Sequence, residues 1–167
     1  MIDKSACYKI IGHSFVLQKY FAEKKDSLSY DDYFGFKVAH LSLDMILQEP
    51  VLKSLHQKFK IAGGGIIKLD ANRCYRWHQD AVRGVSVNML LTPEVDSFVL
   101  FGNDVVDSED QYEIIRLDYE PETFYLFNNQ AMHTVVNFSC PRYLFTVEFE
   151  LDKNSLGFSD VKDFIGV

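Results

Sequence analysis

Apolar residues recur at three- and four-residue spacing from Tyr8 to Lys24 (Phe15, Tyr20, Phe21) and again from Asp44 to Phe59 (Met45, Ile46, Leu52, Leu55, Phe59). That is the period of one helical face, so the spacing predicts two helical stretches. Pro50 falls inside the second and reads as the first turn of a new helix, where its missing N–H has no partner to lose. Between them, Ser27 to Gly35 carries Ser, Asp and Gly and predicts a loop free to move. At Gly63-Gly64-Gly65 the pattern turns from helical to extended, and the glycines read as a flexible helix-to-strand connection. Strands are predicted at Gly65–Leu69, Cys74–His78, Val85–Thr92, Ser97–Gly102, Tyr112–Leu117, Thr123–Phe127, Thr134–Phe138 and Tyr143–Leu151. Turn signals separate them at Asp70-Ala71-Asn72, Thr92-Pro93-Glu94, Gly102-Asn103-Asp104, Asn128-Asn129 and Ser139-Cys140-Pro141.

Helices followed by many short strands predict an antiparallel sandwich or barrel with helices on one face. The 167 residues suit a single domain: a helical layer over 1–62, a β core over 63–153, and a segment from 154 to 167 holding a short closing helix at Asn154–Ile165. An aromatic share of 14% strengthens the β assignment. The net charge of −7 has no basic cluster to set against it, so a nucleic-acid or anionic-membrane partner is not expected. Cys7, Cys74 and Cys140 are odd in number and far apart, which predicts free thiols and a reducing, cytoplasmic setting. With no apolar run near the roughly 20 residues of a membrane span and no leader pattern, a soluble, unprocessed chain is expected.

The chemistry concentrates at His78-Gln79-Asp80. On an extended strand, residues i and i+2 share a face about 6.5–7 Å apart along the backbone, within reach of one ion. His133, between two β runs, is the candidate third ligand. Two histidines and one carboxylate make the facial triad of non-haem Fe(II), which leaves positions open for a chelating cosubstrate and O₂. Arg142, nine residues on, opens a strongly β segment and carries a planar fork suited to a carboxylate.

His-x-Asp, a distal His and a trailing Arg resemble the pattern of the Fe(II)- and 2-oxoglutarate-dependent dioxygenases. Tyr75-Arg76-Trp77-His78-Gln79-Asp80 is similar to the Tyr-x-x-His-x-Asp segment of prolyl hydroxylases. The stretch from Phe124 through Phe149, with His133-Thr134-Val135-Val136-Asn137-Phe138-Ser139 and Arg142, is similar to the aspartyl/asparaginyl β-hydroxylases. Asp80 matches the prolyl group, whereas Arg142 stands where that group commonly has lysine. The resemblance covers about Gly65 to Leu151 and implies a double-stranded β-helix, a cupin-like jelly-roll barrel. It implies a hydroxylase in which His78, Asp80 and His133 hold Fe(II) and Arg142 anchors 2-oxoglutarate. The reaction so implied consumes O₂ and yields succinate and CO₂ as a C–H bond of a peptidyl Pro, Asp or Asn, or of a small molecule, is hydroxylated.

Tyr75 is assigned toward the cosubstrate by the resemblance alone, because three residues before His78 it lies on the opposite face of an ideal strand unless a bulge intervenes. Asn88, an amide among the apolar residues Val85 to Leu90, either faces inward and hydrogen-bonds a partner, with the cosubstrate as the candidate, or lies on the outer face. Arg83, three residues past Asp80, is the candidate substrate-binding arginine; Arg73, Arg76 and Arg116 read as surface charges. His13, His40 and His56 read as structural. Two other classes stay open: a non-catalytic cupin-like metal-binding or structural module, and a metal-dependent isomerase or epimerase on the same barrel. Oligomeric state is not legible.

Overall fold

A computed structural model of the chain describes residues 3–92, 94, 96–102 and 113–167. Its elements run β1 (Tyr8–His13), α1 (Val16–Lys24), β2 (Asp31–Tyr33), β3 (Phe36–Leu41), α2 (Leu43–Ile46), α3 (Pro50–Phe59), β4 (Ile61–Leu69), β5 (Arg73–His78), β6 (Val85–Leu90), β7 (Ser97–Gly102), β8 (Ile114–Leu117), β9 (Thr123–Asn128), β10 (His133–Asn137), β11 (Arg142–Phe149) and α4 (Phe158–Ile165). The expected turns at Thr92-Pro93-Glu94 and Gly102-Asn103-Asp104, and the start of the strand expected from Tyr112, lie partly outside the described residues.

Two antiparallel sheets face each other. One has seven strands in the order β1-β9-β6-β11-β4-β3-β2, the other four in the order β5-β10-β7-β8. From β4 to β11 the chain crosses back and forth between them, which is the jelly-roll winding of a double-stranded β-helix. The central strands of the larger sheet are buried on both faces, so they read as nearly continuous apolar runs. Val85, Val87 and Met89 of β6, Phe124 and Leu126 of β9, and Phe145 and Val147 of β11 meet a layer formed by Leu17, Phe21, Ile46, Leu52, Leu55, Phe158 and Val161 from the helices. The alternate residues Leu90, Tyr125, Phe127 and Leu144 turn toward the smaller sheet and pack on Val99 and Phe101. Period-two alternation therefore sends one set of side chains to the helices and the other into the barrel.

Three expectations are corrected. The helix predicted over Tyr8–Lys24 is strand β1 followed by helix α1: Ile10-Ile11 is β-branched, and the segment pairs antiparallel with β9 from Tyr8 opposite Phe127 to His13 opposite Thr123. Tertiary pairing overrides a weak helical period. The loop predicted over Ser27–Gly35 contains β2, which forms a hairpin with the unforeseen β3. Strands β1, β2 and β3 thus extend both edges of the larger sheet from within the predicted helical layer. Pro50 does stand at the first turn of α3, as expected, after a break that ends α2.

The glycine run is the third correction. Gly63, Gly64 and Gly65 lie inside β4, not in a connection, and Gly64 and Gly65 serve close approach rather than flexibility. A Cβ on Gly64 would come 2.7 Å from the Thr146 carbonyl oxygen, and one on Gly65 would overlap the carbonyl of Ala39. Gly65→Ala is therefore expected to destabilise the fold by about 2–3 kcal/mol. That corresponds to a fall of about 4–12 °C in the thermal midpoint for a chain of this size, to be checked by thermal denaturation. All three cysteines are free, and no helix among the described residues is long and apolar enough to cross a membrane.

Candidate metal and cosubstrate site

His78 ends β5 and His133 begins β10, and the two residues are direct cross-strand partners. Their rings sit 4.2 Å apart, centroid to centroid. Asp80 lies just beyond the strand, its Oδ1 3.4 Å from His78 Nε2 and 4.0 Å from His133 Nε2. One ligand atom from each of the three lies within 4.8 Å of the others. The winding of the barrel explains the convergence, since it makes β5 and β10 neighbours although 55 residues separate the two histidines in the chain.

Each imidazole is oriented from behind. His78 Nδ1 donates to the Arg76 carbonyl at 2.8 Å and His133 Nδ1 to the Ala131 carbonyl at 2.8 Å. A carbonyl only accepts, so Nδ1 carries the proton in both rings, and each Nε2 is turned toward Asp80, where it could give its lone pair to an ion. Burial, reinforced by the neighbouring His78, pushes the His133 pKa down to about 4, so that ring is neutral at neutral pH. For Asp80 burial works to raise the pKa, but the His78 hydrogen bond and the Arg83 and His133 interactions outweigh it and bring it to about 2. The cluster thus offers an ion two imidazole nitrogens and one carboxylate, the donor set of a facial triad.

Asp80 sits in a loop, and its position is set by that loop's contacts. Its N–H donates to the Asn129 carbonyl at 2.9 Å. Gln130 Nε2 bonds the Asp80 and Arg83 carbonyls at 2.9 and 2.8 Å. The outer oxygen, Oδ2, accepts from Arg83 Nε at 2.7 Å, Arg83 Nη2 at 2.7 Å and Asn129 Nδ2 at 2.9 Å. Arg83, expected to face a substrate, is thus occupied with Asp80.

Behind the triad lies a pocket with about 640 Å³ of atom-free space, part of it open to solvent. Arg142, Asn88 and Tyr119 give it a polar wall, and Ile67, Leu69, Val99, Val135 and Leu144 give it apolar ones. Arg142 is 2% exposed, with Nε and Nη2 lacking any hydrogen-bond partner. The Tyr119 hydroxyl beside it is also unpartnered, and burial pushes its pKa up to about 12. Burial lowers the Arg142 pKa while Tyr119 works to raise it. A buried charge with unused donors costs several kcal/mol unless an anion completes it.

Asn88 points into this pocket because it is in register with Thr146 on one side and Tyr125 on the other, the inward set of the larger sheet. Tyr75 reaches the pocket through the bulge its assignment required. β5 pairs His78 with His133 but Tyr75 with Val135, so one extra β5 residue is inserted. The Tyr75 ring then meets His78 edge-on at 4.8 Å. Sequence reading missed Tyr119 and Asn129. Tyr119 follows a short strand with no motif around it, and Asn129 was read only as a turn residue. Two of the histidines read as structural have hydrogen-bond partners: His13 Nδ1 bonds the Thr123 hydroxyl, and His56 Nδ1 accepts from the Ile61 N–H.

No protein-family model matches the chain, and no curated protein sequence matches it. Solved structures do. The chain is similar to a prolyl hydroxylase of Trichoplax adhaerens in complex with a hypoxia inducible factor peptide, at 14% identity and a TM-score of 0.63, covering 90% of this chain and 86% of that one. It is similar to a Pseudomonas putida prolyl-4-hydroxylase at 13% identity and a TM-score of 0.63, covering 88% and 94%. It is also similar to HygX of Streptomyces hygroscopicus, solved with nickel, 2-oxoglutarate and hygromycin B, at 10% identity and a TM-score of 0.60, covering 86% and 82%. The chain therefore has the double-stranded β-helix fold of the prolyl hydroxylases and other 2-oxoglutarate Fe(II) oxygenases. At these identities the likeness establishes the fold, and the chemistry has to be argued from the site.

Proposed function

We propose that the protein is an Fe(II)- and 2-oxoglutarate-dependent oxygenase. The observation that carries the reading is the pairing of two features in one pocket: three ligand atoms within 4.8 Å of one another, and a buried guanidinium with unused donors. A metal alone would explain the first, and a buried anion alone the second. A ligand that chelates a metal at one end and ends in a carboxylate at the other explains both, and 2-oxoglutarate is such a molecule.

His78 Nε2, His133 Nε2 and Asp80 Oδ1 would hold the metal. Arg142, with Tyr119 and Asn88 beside it, would receive the distal carboxylate through charge-assisted hydrogen bonds. Bound Fe(II) would supply the one-electron and O₂ chemistry that no side chain provides. The chain's own residues do the rest. The backbone carbonyls of Arg76 and Ala131 keep both lone pairs aimed inward. Ile67, Leu69, Val135 and Leu144 keep bulk water from the cosubstrate, and Tyr75 with Phe36 forms one side of the pocket, their rings 5.7 Å apart. In the net reaction a substrate C–H, 2-oxoglutarate and O₂ become C–OH, succinate and CO₂. The substrate is proposed to be a peptidyl Pro, Asp or Asn, or a small molecule, in keeping with neighbours solved with a peptide and with hygromycin B.

The test is anaerobic. Adding Fe(II) and then 2-oxoglutarate to the folded protein is expected to produce a visible charge-transfer band that neither gives alone. Admitting O₂ should bleach it, with succinate formed. A folded, iron-loaded protein that develops no band supports a cupin-like binding module instead. A protein that binds metal and turns over a substrate without releasing succinate supports an isomerase.

A further inference from the structure

We propose that Arg83 is a positioning residue whose role is to hold Asp80 to a single inward-facing oxygen, keeping the neighbouring metal position and the ion's charge available to the cosubstrate. The inference rests on the metal-site reading above. It concerns a residue that no ligand-counting pattern includes.

The two oxygens of Asp80 have separate surroundings. Oδ2 accepts two N–H groups of one guanidinium, each at 2.7 Å, and a third from Asn129 at 2.9 Å. Oδ1 faces His78 and His133. Arg83 is itself fixed, its carbonyl bonded to Gln130 at 2.8 Å and its Nη1 3.4 Å from Thr146 Oγ1. A carboxylate whose outer oxygen is saturated by three donors cannot turn to offer both oxygens to an ion. Such a constraint matters because Asp80 lies beyond the end of β5, where its backbone contacts to Asn129 and Gln130 place the residue but do not fix the turn of its carboxylate. The guanidinium also cancels the charge of Asp80, so a divalent ion held here keeps its full double charge toward a dianionic chelator.

The two effects give opposite signs on two affinities. In Arg83→Gln only the Asn129 donor is left on Oδ2, so the carboxylate can turn to bind through both oxygens, and no nearby cation repels the metal. Mn(II) affinity, measured by electron paramagnetic resonance titration, is expected to stay equal or rise by up to about tenfold. Affinity of the Mn(II)-loaded protein for 2-oxoglutarate, measured by calorimetry, is expected to fall by about tenfold or more, because one chelating position is taken and the attracting charge is halved. Arg83→Lys, which keeps the charge, should recover part of that loss. Asn129→Ala removes one donor from the same oxygen without changing charge and should lower 2-oxoglutarate affinity by about threefold, which keeps the idea testable if Arg83→Gln does not fold.

An Arg83→Gln protein with 2-oxoglutarate affinity equal to that of the parent overturns the assignment, as does one whose Mn(II) affinity falls tenfold. Failure of the underlying reading looks different: the parent protein would not bind Mn(II), or His78→Ala would bind it as tightly as the parent.

Discussion

Replacing His78 with alanine is expected to abolish Fe(II)-dependent succinate formation, lowering the rate by about a thousandfold or more, while leaving the fold intact. The side chain supplies one of three protein donors, and with two left the chelate that holds the ion is incomplete. Its removal costs the structure little, because His78 is partly exposed at the end of an edge strand. Mn(II) titration should show at least a hundredfold loss of affinity, of the size seen when a metal site is weakened. Circular dichroism should match the parent. Asp80→Ala is expected to lose turnover equally, with a larger cost to the fold, because it leaves Arg83 without its carboxylate and Asn129 without an acceptor. Full succinate production by either variant would show that the cluster is not the metal site.

The second large effect separates binding from stability. Arg142→Met replaces a buried guanidinium, two of whose donor nitrogens are unpartnered, by an apolar side chain of similar length. Removing a buried charge that has Tyr119 beside it but no carboxylate partner relieves its desolvation cost, so the ligand-free variant is expected to be as stable as the parent or more stable, by about 1–3 kcal/mol. Its affinity for 2-oxoglutarate is expected to fall at least a hundredfold, since the charge-assisted hydrogen bonds to the distal carboxylate are gone. Mn(II) affinity should not change. Thermal denaturation and calorimetry check the two arms independently. A destabilised variant with normal 2-oxoglutarate affinity would show that Arg142 supports the fold rather than the cosubstrate.

The β core was legible because its strands are short apolar runs rich in β-branched and aromatic residues, punctuated by turn residues; Ser97–Gly102 is reproduced residue for residue by β7. The first 60 residues were less legible. Tyr8–His13 carries a sequence that fits either helix or strand, and only the free edge of β9 selects the strand. Gly63-Gly64-Gly65 resembles a break because glycine signals loops in sequence, whereas here the missing side chains of Gly64 and Gly65 let β11 and β3 press against β4. At the site, His78, Asp80, His133 and Arg142 stood out by residue type and order. Tyr119 did not, since nothing in its neighbours marks a hydroxyl that will lie beside Arg142. Arg83 was singled out for a substrate, but its partner is the carboxylate three residues before it.

The amino-acid order by itself determined which segments could bury both faces and which few residues carried metal-binding and carboxylate-binding chemistry, because periodicity and side-chain type are local properties. Tertiary structure alone decided that β5 and β10 lie side by side, that a bulge swings Tyr75 onto the face of His78, and that Arg83 spends its charge on Asp80. These are matters of register and burial, fixed by partners tens of residues away. Nothing in the immediate neighbourhood of a residue records which strand will pair with it or how much water will be left around it.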